Sequence, residues 1–251
     1  MRPTGDCPAM DGFSMPGFAP LYPEGPYEYD GFTAVLFEYP VERERLDGVV
    51  PDPLDVRTNA MVLGFYDYGI VNGFGSYDEL VTGIPVAHEG REMLYAPYLL
   101  LDGDAPMAGG REVWGIPKKL GTVEIDPEGA AVTASASRGG ATLVEATLDT
   151  REPAGDHPLA ADRFENVYRK TIPAAEKGAA PVVDRLVVAE TSDVRAERAL
   201  TGPGTLAFVG SAADPLGTFA PAGDPTGYLV EGGWTLGRTD DAVLHRFEES
   251  A

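Results

Sequence analysis

Cysteine and histidine are scarce in this chain of 251 residues, which contains one cysteine, Cys7, and three histidines, His88, His157 and His245. A single cysteine cannot form an internal disulfide, and histidines without metal-ligand spacing cannot complete a structural zinc site with it. We therefore expect no metal site, surface positions for the three histidines, and a reducing compartment.

Long apolar runs are also absent. No stretch of about 18 apolar residues occurs, which predicts that the chain has no membrane span. The first residues, MRPTGDCPAMDGF, lack the apolar core of a secretory signal, so we expect a cytoplasmic location. Hydrophobic residues nevertheless make up 43% of the chain, which is typical of a globular protein with a buried core.

Positive charge is in short supply as well: 19 basic residues face 40 acidic ones, for a net charge of −21. No basic stripe is available to meet phosphates, which excludes nucleic acids and anionic membrane surfaces as expected partners. The acidic residues are scattered, and such a charge is screened in molar salt. Together with the scarcity of lysine, this favours a protein of a high-salt cytoplasm. An ordinary acidic protein encoded by a GC-rich genome is the alternative.

Lysine is the rarest charged residue, and two of the four lysines are adjacent in the sequence. The four lysines are Lys118, Lys119, Lys170 and Lys177, and the first two are adjacent within the apolar stretch REVWGIPKKLG (111–121). A lysine amine attacks a ketone to form a Schiff base only when it is neutral, and burial favours the neutral form. We expect burial to contribute more than the second lysine, because neighbouring side chains of a strand point to opposite faces. A solvated surface pair is the alternative.

Other catalytic motifs are missing. The glycine pairs at 109–110, 139–140 and 232–233 belong to neither a G-x-G-x-x-G fingerprint nor a phosphate loop, and no G-x-S-x-G elbow occurs. We therefore expect no nucleotide cofactor and no serine hydrolase chemistry.

Strand-forming segments separated by turn signals dominate the rest of the pattern. They are 33–40, 60–71, 78–88, 93–102, the hairpins of 122–150, 182–202 as one long bent strand or two, 205–210 and 228–247. The apolar and aromatic residues of 60–71 are typical of a strand buried on both sides. A short helix is predicted within 41–51, a loop over 109–121, and a short helix or a strand within 156–173. Closely spaced strands with few helices predict a β-dominated α+β domain, built as a closed or nearly closed antiparallel barrel. We expect an irregular arm over residues 1–25 and one domain over 26–251.

The segment GGREVWGIPKKLG (109–121) resembles the signature of the acetoacetate decarboxylase family, G-R-E-x-x-x-x-P-K-K-L-G. VVPDPLDV (49–56), GSYDELVTGIPV (75–86), YLLLDGDAPMAGGRE (98–112) and TGPGTLAF (201–208) follow the family's pattern in the same order. The resemblance covers roughly residues 20–247. It implies a cone-like antiparallel barrel, a small keto acid as substrate and a homo-oligomer.

The resemblance also implies roles for particular residues. Lys118 matches the lysine that forms the Schiff base, and Lys119 matches its electrostatic neighbour. Glu79 matches the catalytic acid. Arg111 and Glu112 match the G-R-E element, which we expect to brace the lysine segment.

Two positions depart from the family's pattern. An arginine expected in an early strand is replaced by Phe32, and a second glutamate is replaced by Gly64. These departures predict a roomier and less polar pocket than acetoacetate needs. Trp114 precedes Lys118 by four residues, and it is expected either to wall this pocket or to pack in the core.

Three functions are compatible with these observations. The first is a carbon–carbon lyase that decarboxylates a β-keto acid, either acetoacetate or a bulkier, less polar analogue, through an imine at Lys118. The second is an aldolase-dehydratase that acts on pyruvate-like 2-oxo acids by the same imine. The third is a barrel that binds an apolar small molecule without turning it over. The imine supplies the electron sink, so the two enzymatic hypotheses need no cofactor.

Overall fold

A computed structural model describes residues 12–127 and 131–247 of the chain. The predictions for Cys7 and for the first eleven residues of the N-terminal arm lie outside the described residues. Residues 12–26 contain no helix or strand.

The described residues form fifteen strands and four short helices. The strands are β1 (Tyr27–Pro40), β2 (Asp55–Val56), β3 (Ala60–Val71), β4 (Gly75–His88), β5 (Arg91–Tyr95), β6 (Leu99–Leu101), β7 (Lys118–Leu120), β8 (Thr122–Asp126), β9 (Val132–Arg138), β10 (Ala141–Leu148), β11 (Glu152–Pro153), β12 (Phe164–Ile172), β13 (Val183–Phe208), β14 (Thr226–Gly237) and β15 (Val243–Arg246). The helices are α1 (Arg43–Asp47), α2 (Asp104–Gly109), a π-helix (Gly110–Trp114) and a 3₁₀ helix (Leu216–Phe219).

Seven strands close into a barrel in the order β12-β5-β4-β3-β1-β14-β13, and β13 pairs back onto β12. Every pair in this ring is antiparallel except β12 with β5. Strands β10, β9 and β8 continue the sheet from the second half of β13. The predicted β-dominated barrel is confirmed, and the segment 156–173 supplies a strand, not a helix.

The longest strand is β13, and it joins the ring to the outer strands. Register shifts between Ser192 and Arg195 and between Ala196 and Arg198 mark irregularities at which such a strand bends. The prediction of a separate strand at 205–210 is wrong, because β13 runs through the intervening glycines to Phe208. A Cβ at Gly202 would lie only 1.8 Å from the carbonyl oxygen of Asp149, so this glycine permits close packing of two backbones and does not mark a turn.

The helices are short. Helix α1 lies within the segment 41–51, as predicted. The prediction of a loop over 109–121 is wrong, because the π-helix occupies 110–114 and strand β7 begins at Lys118. The segment 93–102 forms two strands, β5 and β6, not one. Among the described residues, no helix combines the length and apolar character that crossing a membrane requires.

The sheet buries side chains on both faces. One face, the aliphatic face, packs residues such as Leu63, Leu80, Ile84, Leu100 and Val188. The other, the aromatic face, is formed by Tyr29, Phe32, Tyr66, Tyr68, Tyr77, Tyr168 and Trp234. Because side chains alternate along a strand, one strand serves both faces, as predicted for the apolar segment 60–71.

Candidate active site

Lys118 and Glu79 meet on the aromatic face. Strand β6 lies between their strands: Leu99 pairs with Lys118 on one side, and Leu101 pairs with Glu79 on the other. Nζ of Lys118 lies 2.9 Å from Oε1 of Glu79, and each side chain is 5% exposed. Taking two charges out of water is unfavourable, and their mutual attraction offsets that cost only when they stay together.

The approach of the two groups is a close contact without full hydrogen-bond geometry. Oε1 of Glu79 is buried and has no hydrogen-bond partner among the described residues. Burial raises the pKa of Glu79, and the nearby Lys118 offsets part of that rise. A carboxyl group whose protonated form is favoured in this way, next to an amine, is suited to hold and transfer a proton.

Five tyrosines surround the pair, and their phenols are neutral. Burial raises the pKa of each phenol, and the charge of Glu79 raises it further. The five are Tyr29, Tyr66, Tyr68, Tyr77 and Tyr168. The hydroxyls of Tyr29 and Tyr77 are 3.0 Å apart, and Nζ of Lys118 lies 5.5 Å from the centroid of the Tyr77 ring. The site is therefore aromatic in its walls but retains hydroxyl groups.

The register of β3 and β4 places these groups together. Tyr66 pairs with Glu79 and Tyr68 with Tyr77 across the two strands. Residues two apart on a strand share a face, so all four side chains point to the same side. The spacings Tyr-x-Tyr at 66–68 and Tyr-x-Glu at 77–79 place each pair on one face of its strand, and the sequence interpretation missed this pattern.

Phe32 and Gly64 lie where the family's arginine and second glutamate were expected, and both belong to this region. Phe32 is 2% exposed, and its ring centroid lies 4.5 Å from that of Trp234. A Cβ at Gly64 would lie 2.5 Å from Cε2 of Tyr66 and 2.9 Å from Cδ2 of Leu36. The space at Gly64 is thus filled by the Tyr66 ring. The prediction of a roomier pocket is wrong at this position, and the lower polarity of the pocket stays a prediction.

The π-helix packs directly on the stem of Lys118. A Cβ at Gly110 would lie 2.8 Å from Cδ of Lys118, so glycine is what lets the helix approach. Gly115 ends the helix with φ +78°, a left-handed conformation that glycine adopts readily. Its missing side chain leaves room for Lys170, whose Nζ donates to the carbonyls of Glu112 and Val113.

Arg111 and Glu112 tie the same helix to its surroundings. Nη1 of Arg111 donates to the carbonyl oxygen of Lys118 at 3.1 Å. Oε2 of Glu112 accepts a hydrogen bond from the hydroxyl of Tyr22 at 2.5 Å. Arg111 therefore contacts the lysine strand, whereas Glu112 binds the N-terminal segment.

Trp114 ends the π-helix as a buried side chain that is 2% exposed. Its ring meets that of Tyr27 edge-on, with centroids 6.0 Å apart. Its Nε1 has no hydrogen-bond partner among the described residues. Trp114 therefore packs in the core, one of its two expected positions, and the cavity that it lines does not include Lys118 or Glu79.

The fold does not place the Lys119 amine at Glu79. Its Nζ lies 2.7 Å from Oδ1 of Asp214 and 5.1 Å from the centroid of the Tyr98 ring, and Leu100 opposite it on β6 packs on the aliphatic face. Asp214 is 1% exposed and also accepts hydrogen bonds from Arg138 and Tyr98, each at 3.0 Å. Burial alone would raise the pKa of Asp214, but the donors from Lys119, Tyr98 and Arg138 lower it below its usual value. The sequence interpretation missed Asp214, and no local pattern pointed to it.

The described residues hold no group of three or more His, Cys, Asp or Glu side chains placed to bind a metal ion.

Comparison with known proteins places these features in context. The family model described as acetoacetate decarboxylase matches residues 14–244. Acetoacetate decarboxylase 3 of Mesorhizobium japonicum is 33% identical over 196 residues, which cover 77% of this chain and 76% of that protein. Acetoacetate decarboxylase of Acidiphilium cryptum is 31% identical over 206 residues, which cover 81% of this chain and 83% of that protein.

Solved structures agree with the fold. The crystal structure of acetoacetate decarboxylase from Legionella pneumophila superposes with a TM-score of 0.86 at 25% identity and covers 95% of each chain. The enduracididine biosynthesis enzyme MppR complexed with pyruvate superposes with a TM-score of 0.76 at 23% identity, covering 90% of this chain and 95% of that one. The second similarity is one of fold alone.

Proposed function

Since the chain belongs to the acetoacetate decarboxylase family, we propose that it decarboxylates a β-keto acid through an imine at Lys118. The observation that carries the proposal is the buried pair of Lys118 and Glu79, 2.9 Å apart. The substrate is acetoacetate or a less polar analogue, because Phe32 and Gly64 stand where the family pattern has an arginine and a glutamate.

The proposed reaction begins with attack of the neutral Lys118 amine on the ketone carbon. Loss of water from the carbinolamine gives an iminium. The bond between the α-carbon and the carboxylate then breaks, carbon dioxide leaves, and the electron pair moves into the iminium to form an enamine. Protonation of the enamine carbon and hydrolysis by water release the ketone and restore the amine.

Glu79 is the proposed proton carrier in this sequence. Its buried carboxyl favours the protonated form, so it can supply a proton to the carbinolamine hydroxyl or to the enamine carbon. The five surrounding phenols keep water scarce while offering neutral hydroxyl groups to the reacting oxygens. Arg111 is a positioning residue in this proposal, because it donates a hydrogen bond to the backbone carbonyl of Lys118 and not to the reacting groups.

An aldolase-dehydratase acting on pyruvate-like 2-oxo acids is the second candidate. It uses the same imine, and the substitutions at positions 32 and 64 favour it, because they remove the polar partners expected for acetoacetate. The fold likeness to an enzyme complexed with pyruvate motivates testing pyruvate beside acetoacetate. The same two substitutions leave a third candidate, a barrel that binds an apolar small molecule without turnover.

Trapping the imine tests the proposal. The protein is incubated with acetoacetate, 3-oxohexanoate or pyruvate in the presence of cyanoborohydride, and the intact protein is weighed. A covalent adduct is expected for at least one keto acid and is expected to disappear in Lys118→Arg. Lys170→Arg is the matched control, since Lys170 contacts the same π-helix from outside and should leave the adduct intact.

Release of carbon dioxide then separates the two enzymatic candidates. With a β-keto acid we expect carbon dioxide in the headspace, and Glu79→Gln should lower its rate by about 100-fold or more while Lys118 remains in place. An adduct with pyruvate and no carbon dioxide from any β-keto acid would favour the aldolase-dehydratase. Absence of every adduct would favour the binding barrel.

A further inference from the structure

A cavity of about 600 Å³ opens beside the π-helix, between the N-terminal segment and the end of β14. Its apolar wall is formed by Tyr27, Trp114, Val187 and Leu236. Neither Lys118 nor Glu79 is among its lining residues. A cavity of this volume is of the size that binds small organic molecules, and its lining has the usual apolar walls with a few polar groups.

Two polar atoms without partners belong to the lining of this cavity. Among the described residues, four buried side-chain nitrogen or oxygen atoms have no hydrogen-bond partner, and two of them are Nε1 of Trp114 and Oγ1 of Thr239. A buried donor left unpaired is unfavourable. The indole N–H can only donate. An acceptor oxygen that reaches either atom would supply its missing partner.

A cation stands at the rim of the same cavity. The guanidinium of Arg238 forms an ion pair with Glu24 and lies 5.3 Å from the centroid of the Phe13 ring. Its side chain is 48% exposed, and Glu24 uses only part of its five N–H donors. Asp240, also on the rim, is exposed. Because Glu24 and Asp240 offset the charge of Arg238, it is the unused guanidinium donors, and not a net positive charge, that would recognise a carboxylate.

We propose that this cavity is a non-covalent binding site for a monocarboxylic acid with an apolar chain. The carboxylate would accept hydrogen bonds from Arg238, Thr239 and the Trp114 indole, and the chain would lie against Tyr27, Val187 and Leu236. The site is separate from Lys118 and requires no imine. The π-helix nevertheless connects the two places, since Trp114 lines the cavity and Gly110 packs on the Lys118 stem.

Calorimetric titration with hexanoate tests the site, because this acid has no ketone and cannot form an imine. At constant ionic strength we expect saturable binding with one molecule per chain. Arg238→Gln should weaken it about tenfold and Thr239→Val about fivefold, as expected for lost hydrogen bonds to a charged group. Hexanol, which has the chain but no carboxylate, should bind more weakly than hexanoate.

Three further variants distinguish this site from the lysine pocket and from exposed arginines elsewhere on the surface. Glu24→Gln breaks the same ion pair as Arg238→Gln but frees the guanidinium, so it should leave binding unchanged or strengthen it. Arg198→Gln removes an equally exposed arginine that pairs with Glu231 elsewhere, and it should have no effect. Lys118→Arg should also bind hexanoate normally.

Several outcomes would overturn the proposal: no saturable binding to the unaltered protein, equal losses in Arg198→Gln and Arg238→Gln, or loss in Lys118→Arg alone. The last would place the acid at the lysine. Failure of imine trapping would not change the expected result of this titration, so one proposal can be wrong while the other holds.

Discussion

Lys118 and Lys119 are consecutive residues whose amines contact different carboxylates. The first contacts Glu79 on the aromatic face, and the second contacts the buried Asp214. Adjacent residues of a strand project to opposite sides, so the pair cannot act as two cations side by side. The charge of Lys119 is moreover matched by a carboxylate at 2.7 Å.

Exclusion of water from Lys118, and not the charge of Lys119, should therefore determine the reactivity of the Lys118 amine. We expect Lys119→Ala to lower the rate of imine trapping less than Ile116→Asn does, because Ile116 is 4% exposed and its replacement admits water near the lysine strand. The measurement is the rate of cyanoborohydride trapping at one fixed pH, and a larger loss in Lys119→Ala would contradict the argument.

Asp214 should be important for stability. Asp214→Asn leaves three donors around a neutral amide, and breaking a buried charged network of this kind should cost about 3 kcal/mol in the free energy of unfolding at pH 7. Because the folded state lowers the pKa of Asp214, this contribution is present above the unfolded value and is lost as pH falls through the folded one. The difference from the unaltered protein should shrink in acid.

Urea unfolding at several pH values measures this effect. Asp184→Asn is the control, since its ion pair with Arg169 lies near the surface and should contribute at most about 1 kcal/mol. Equal losses in the two variants would show that the burial of Asp214 contributes nothing.

Asp78 should make the protein less stable as pH rises through about 6. It lies opposite Asp67 across β3 and β4, and its backbone N–H donates to Oδ1 of Asp102 at 2.9 Å. Burial, then the charges of Asp67 and Asp102, raise the pKa of Asp78 to about 6. Between about 4 and 6 the folded state binds more protons than the unfolded one, so stability is greatest below this window and falls across it.

Asp78→Asn should remove that dependence and gain about 1 kcal/mol at pH 7, a value reduced for the partial exposure of the group. Melting temperatures of the variant and the unaltered protein from pH 4 to 8 test this. Asp55→Asn changes an exposed residue of β2, and its melting temperature should differ from that of the unaltered protein by the same amount at every pH. Parallel curves for Asp78→Asn and the unaltered protein would refute the prediction.

The net charge of −21 predicts that salt stabilises the fold. Screening weakens repulsion among the acidic side chains, so the melting temperature should rise by about 5 °C or more between low and molar KCl. NaCl at the same ionic strength should act alike, since the effect depends on charge. A flat response would end the high-salt interpretation.

Local sequence patterns were sufficient to predict most strands of the barrel and the burial of Lys118. Apolar residues on both sides of 60–71 indicated a strand buried on two faces, and the apolar flanks of Lys118 indicated a dry amine. The role of Glu79 came from the family resemblance, because the two residues are 39 positions apart in the sequence and no local pattern links them. The contacts of Asp214 could not be predicted for the same reason, since its partners lie in distant segments.

Two of the wrong predictions concern segments that contain glycines. Gly202 and Gly204 lie where one strand was predicted to end and the next to begin, yet they let β13 pass close to its neighbours. Gly109, Gly110 and Gly115 lie in the segment predicted as a loop, yet two of them belong to helices and the third ends one. In each case the glycine serves close packing against another segment, which depends on contacts that one stretch of sequence does not contain.

Lys118 and Glu79 are each 5% exposed, so little of either side chain can be reached from bulk solvent. If a packed side chain must move before a molecule can contact the amine, that motion, and not bond cleavage, limits each cycle. Raising the viscosity of the solvent should slow turnover accordingly, while an isotope label at the scissile carbon should leave the rate nearly unchanged.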